Sequence, residues 1–195
     1  MVARSQPFDD GGLRETLLSA DCQHPCFMEI RPGVTTEVQA LRLLQASPWV
    51  AQIAPLVSEG GFTWTWNGRQ PTFLQGGFAS NSLLTVGGIV TRIDLFTSEN
   101  LATFLLGFGL PDAWSSETWF INDLQSNNLR TNFGQSIFYN KYPMEVVTQG
   151  GCPLSVRVQW ALPVQISLSA QQNRVGYDSY DHTPLVAISR LESCQ

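Results

Sequence analysis

Thr63-Trp64-Thr65-Trp66-Asn67 returns as Ser136-Ile137-Phe138-Tyr139-Asn140, 73 residues further along the chain. In the first copy Phe62, Trp64 and Trp66 alternate with Thr63 and Thr65. A period of two marks an antiparallel strand with one buried and one wet face. Ile93 and Leu95 alternate in the same way with Arg92 and Asp94, as do Val156, Val158 and Trp160 with Ser155, Arg157 and Gln159. Arg92-Ile93-Asp94-Leu95 matches Gln165-Ile166-Ser167-Leu168, again 73 apart, and Gln75-Gly76-Gly77 finds a counterpart in Gln149-Gly150-Gly151. The glycine pairs at 60–61, 76–77, 87–88 and 150–151 read as turns and bulges.

Outward from these strands lie two helical stretches. Thr35-Thr36-Glu37 offers an N-cap and an acid for the first turn, and Val38, Leu41 and Leu44 recur at helical spacing up to Ser47-Pro48. Ser98-Glu99 opens the second, Leu101, Phe104, Leu105 and Phe108 form its stripe, and Gly107, Gly109 and Pro111 stop it. The helices superpose at a separation of 63, Val38 on Leu101. About ten extra residues between Ser116 and Asn132 account for the different separation of the strands. The expected fold is therefore α+β: two tandem helix-plus-antiparallel-sheet modules, with helices on one face of each sheet. The expected divisions are an N-terminal segment 1–29, repeats 30–97 and 98–170, and a C-terminal tail 171–195 packed on the second repeat.

Composition narrows the function. Of 195 residues 43% are hydrophobic, enough for a packed core, while only 14% are charged. Sixteen acidic against eleven basic residues give a net charge of −5, and Lys141 is the single lysine. Without a basic stripe, neither nucleic acid nor an anionic membrane surface is an expected partner. No apolar run approaches the roughly 20 residues that cross a bilayer as a helix. Met1 to Gly12 lacks the basic and apolar regions of a leader, so a leader is expected to have been removed or to lie upstream.

Cys22, Cys26, Cys152 and Cys194 allow three disulfide pairings. The economical one joins Cys22 to Cys26 and Cys152 to Cys194. A rival reading sets zinc on Cys22, His24 and Cys26, but the other half has no matching C-x2-C pair to complete it. Disulfides imply an oxidising, extracytoplasmic compartment.

The Gly33-Val34-Thr35-Thr36-Glu37-Val38 opening, the leucine stripe and the Gly109-Leu110-Pro111 stop, followed by a short antiparallel sheet, resemble the outer-membrane assembly lipoprotein family. The doubling is similar to the β-lactamase-inhibitor-protein fold. Departures are Ser47 at the first stop, a second opening without Gly-x-Thr, and the Cys22–Cys26 segment. The resemblance implies an envelope or secreted protein that works by contacting other macromolecules, and it transfers no binding residues.

Catalytic and cofactor fingerprints are absent, and no cofactor is expected. Asp178, Asp181 and His182 are candidate metal ligands, or a base with its orienting carboxylate, and they carry the alternative reading of a metal-binding protein or hydrolase. Trp64 and Trp66 are read as core rather than as a sugar platform. Trp114, Trp119 and Phe120 fall in or beside the ten-residue insertion, expected to be a loop, and are the candidate binding residues. The expected function is a non-enzymatic exported binding or structural module with a protein partner at the cell envelope.

Overall fold

Alternation does produce strands, but they assemble differently from the expectation. The computed structural model describes residues 10–18, 26–56, 59–74, 81–123, 128–152 and 160–170. In chain order these form α1 (Leu13–Leu17), α2 (Glu37–Ala46), β1 (Val50–Pro55), β2 (Gly61–Trp66), β3 (Asn81–Val86), β4 (Ile89–Asn100), α3 (Leu101–Phe108), β5 (Ala113–Asp123), β6 (Asn128–Tyr139), β7 (Met144–Gly151) and β8 (Pro163–Ser169). One eight-stranded antiparallel sheet takes them all, in the order β1-β2-β3-β4-β8-β7-β6-β5.

This overturns the α+β reading of two modules with a sheet each. The protein is dominated by one sheet with a few short helices. The physical reason lies in β4 and β8. Two separate four-stranded sheets would each leave an exposed edge, a row of unpaired N–H and C=O groups. Pairing β4 with β8 along Arg92–Ser169, Ile93–Leu168, Asp94–Ser167 and Leu95–Ile166 removes both edges.

Register carries the core across the sheet. Leu95, Ile166, Val146, Ile137 and Trp114 form one cross-strand row. Phe62, Leu83, Ile93, Leu168 and Met144 form another. Onto this face pack Leu13 and Leu17 of α1, Ala40 and Leu44 of α2, and Leu101 and Phe104 of α3, in one hydrophobic cluster. The intervening row, Thr63, Ser82, Asp94, Ser167, Glu145 and Phe138, belongs to the opposite face.

Caps place the helices. Thr36 accepts from the Gln39 amide while the Gln39 side chain accepts from the Thr36 amide, a capping box worth about 1 kcal/mol. The Glu37 amide donates to the Gly88 carbonyl and the Gly33 amide to that of Val90, so the β3–β4 turn holds the helix start. The second helix begins two residues later than expected. Its cap is Asn100, accepting from the Thr103 amide, whereas Ser98 lies in β4 and donates to the Thr72 carbonyl. Cap to cap the helices are thus 64 apart, which sets buried Ala40 rather than exposed Val38 in register with the second stripe.

Three further expectations fail locally. Gln149-Gly150-Gly151 is the paired end of β7, not a turn, while Gln75-Gly76-Gly77 lies outside the described residues. Trp160 is helical rather than extended, while the rest of that expected strand, 155–159, lies outside the described residues. The residues inserted after Ser116 lengthen β5 and β6 to 11 and 12 residues, against six each in β1 and β2.

Candidate interaction surface

The longest continuous pairing in the sheet is β5 on β6. It runs without a slip from Ala113–Phe138 to Asp123–Asn128. On its other side β6 is covered by β7 only from Asn132 to Tyr139. The Cys152 amide still donates to the Thr131 carbonyl, so among the described residues Ile121–Asp123 and Asn128–Arg130 continue beyond this pairing as a two-stranded ribbon, three residues on each strand. At about 3.4 Å per residue it projects roughly 10 Å. Isolated two-stranded ribbons are marginal in water, so a ribbon of this kind gains from a surface to lie against.

The sequence candidates divide around this element. Trp114 ends a core row and packs half-buried against the hydrophobic cluster. Trp119 stands opposite Asn132 and Phe120 opposite Thr131, both at the base of the ribbon. What sequence reading missed is that the insertion is strand, although Trp119-Phe120-Ile121 is a run of good strand formers. Trp64 is 1% exposed, edge-to-face with Trp66 at 5.7 Å between ring centroids, and so closed to a sugar. The indole N–H groups of both are buried without an acceptor.

Cys26 and Cys152 each take part in a disulfide, and among the described residues no cysteine is free. Cys22 and Cys194 lie outside the described residues, as do Asp178, Asp181 and His182. Among the described residues no three His, Cys, Asp or Glu side chains gather as metal ligands. No described helix is long and apolar enough to cross a membrane.

Charge is organised at the β4–β8 seam. Arg92 donates from Nε to Asp94 Oδ1 at 2.7 Å and from a terminal nitrogen to Ser167 Oγ at 2.8 Å. Ser167 in turn donates to the same carboxylate oxygen. The Arg92 side chain is 41% exposed, so water screens the ion pair to roughly 1 kcal/mol or less. Its role is to satisfy a nearly buried carboxylate where the two halves meet.

Two smaller features flank the sheet. Met28 and Glu29 hold φ of 52° and 65° in a tight turn closed by the Phe27–Ile30 bridge. Beside them a shallow depression of about 260 Å³ is lined by Met28, Glu29, Leu43, Pro48 and Trp49. Under the end of α3, Phe104 stacks on Phe108 at 4.6 Å and Tyr139 packs against both. The Tyr139 hydroxyl donates to the Gly109 carbonyl, and burial, with the Asp112 carboxylate nearby, pushes its pKa well above the ordinary tyrosine value.

No family model, curated protein or solved structure matches this chain.

Proposed function

We propose that this chain is an extracytoplasmic, non-enzymatic binding protein, and that the β5–β6 ribbon is where it contacts a protein partner of the cell envelope. The observation that carries the reading is the extension of β5 and β6 beyond β7, with Trp119 and Phe120 at its root. Ribbons of this type offer aromatic side chains and unpaired backbone together, the two commonest means of holding another chain. A disulfide at Cys26 and another at Cys152, and a chain poor in charge, support a setting outside the cytosol. The symmetric strand order, with Asp94 facing Ser167, its own counterpart 73 residues on, supports an origin by duplication of a helix-and-four-strand segment.

The test is binding of purified protein to solubilised envelope fractions, read as a saturable isotherm for a single retained protein. Trp119→Ala with Phe120→Ala should weaken it at least tenfold while leaving the far-ultraviolet circular dichroism and the melting temperature in place. Unchanged affinity in the double variant would remove the ribbon from the reading, and no saturable binding to any fraction would remove the reading itself.

A further inference from the structure

The two edges of the sheet are built differently. β1 is six residues long, slips register between Val50 and Gln52, and ends in Pro55. Shortness, a bulge and a proline are the usual devices that keep an edge from pairing. β5 has none of them. Its 11 residues, Ala-Trp-Ser-Ser-Glu-Thr-Trp-Phe-Ile-Asn-Asp, contain no proline and no lysine or arginine, and its pairing to β6 shows no slip. Among the described residues no strand lies beyond it. Along its outer side every second residue presents an N–H and a C=O with no strand to meet them.

We propose that a second copy of this chain occupies this edge: two β5 strands pair antiparallel and join two eight-stranded sheets into one. The strand is suited to itself. Edge-to-edge antiparallel pairing places a two-fold axis perpendicular to the sheet, through a residue that faces its own copy. Full overlap of Ala113–Asp123 puts that axis at Thr118. Glu117 then faces Trp119, Asp123 faces Ala113, and no like charges are opposed. Moving the axis one position back would set Glu117 against Glu117, a destabilising pair, whereas moving it forward to Trp119 opposes no like charges; charge excludes the first register, and the length of overlap favours Thr118 over the second. Because the axis is perpendicular to the sheet, the helical layers of both copies lie on the same side and leave the edge clear.

The pairing is small, so a dimer of roughly micromolar affinity is expected. Each chain carries a net charge of −5, so the copies repel weakly at a distance. Added salt should therefore tighten the dimer, the opposite of its effect on a pairing between unlike charges.

Sedimentation velocity of the full chain over a concentration series is the first measurement, with reversible passage from one to two chain masses expected. Thr118→Lys and Thr118→Glu, each alone, should weaken self-association at least tenfold, and an equimolar mixture of the two should restore it. Only a register in which position 118 faces itself gives that rescue. In parallel, hydrogen exchange of the unmodified protein should show faster exchange on dilution within 113–123 and little change in β1. A chain that stays monomeric up to millimolar concentration overturns the proposal. So does a dimer indifferent to both substitutions, a folded pair of variants that does not recombine, or protection lost on dilution elsewhere than β5. Failure here leaves partner binding by the ribbon standing, because that experiment reads a different protein.

Discussion

The first four strands and the last four occupy mirrored positions in the sheet, yet they fill their share of the core by opposite means. In the first half the bulk comes from the sheet. Trp64 on β2 is 1% exposed, and α2 sets small Ala40 and Leu44 into the core. In the second half Ile137 stands 73 residues on from Trp64, and α3 supplies Phe104, stacked on Phe108 and against Tyr139. At this matched position volume has moved from strand to helix. Close packing demands this, since neither a void nor an overlap the size of an indole is tolerated. The edges diverge as well: β1 is short and closed off, whereas β5 is long and continues into the ribbon. Two halves that share an outline can thus be read separately for stability and for contact.

The sharpest way to break the comparison is to remove the bulk on one side. Trp64→Ala should cost about 4 kcal/mol, because α2 has only Ala40 and Leu44 with which to refill the space. Ile137→Ala at the matching position should cost about 2 to 3 kcal/mol, with the Phe104–Phe108–Tyr139 stack left to hold α3. Denaturant titration of both variants checks it, and equal losses would mean that the two halves do not divide bulk as described.

A smaller effect separates the glycines at the strand ends. Gly61 opens β2 with φ +109°, and a Cβ there would stand 2.0 Å from the Leu83 carbonyl oxygen. Gly61→Ala should therefore cost about 3 kcal/mol through strain and a forced shift of β3. At the end of β7 a Cβ on Gly151 would find only Asn132 Oδ1, at 3.9 Å. Gly151→Ala should change stability by no more than about 0.5 kcal/mol, as thermal melts of the pair will show.

The smallest effect is confined to the second half and depends on pH. The folded state raises the Tyr139 pKa above that of the unfolded chain, chiefly by burial and then by the Asp112 carboxylate. Above about pH 10 the unfolded tyrosine loses its proton first, so the unfolded state binds fewer protons and stability falls as pH rises. Tyr139→Phe forfeits the bond to the Gly109 carbonyl, costing about 1 kcal/mol at neutral pH. Its melting temperature should then decline less than that of the unmodified protein between pH 9 and 11. Parallel declines would assign the alkaline loss to other groups.

How much was legible follows from the range of each interaction. The first helix was, because its cap and Gln39 are neighbours in sequence. The second was misplaced by two residues because Ser98-Glu99 imitates a cap, while the Ser98 hydroxyl is engaged with the carbonyls of Thr72 and Phe73. Trp160 misled because alternation over a few residues does not distinguish a strand from a helical turn. At the candidate site Trp119 and Phe120 stand out as aromatics in an insertion; insertions are usually loops, and that expectation outweighs the strand-forming run Trp119-Phe120-Ile121, whose partners Asn132 and Thr131 follow only from the fold.

The chain alone determined which residues face inward on β2 and β4 and where the first helix starts. Only tertiary structure decided that the halves share one sheet, that the insertion became a ribbon, and which edge stayed open. Inward facing and capping are written in side chains a few residues apart. Strand-to-strand joining is made by backbone groups that every residue carries alike, so β4 and β8 could find each other without leaving a mark in the sequence.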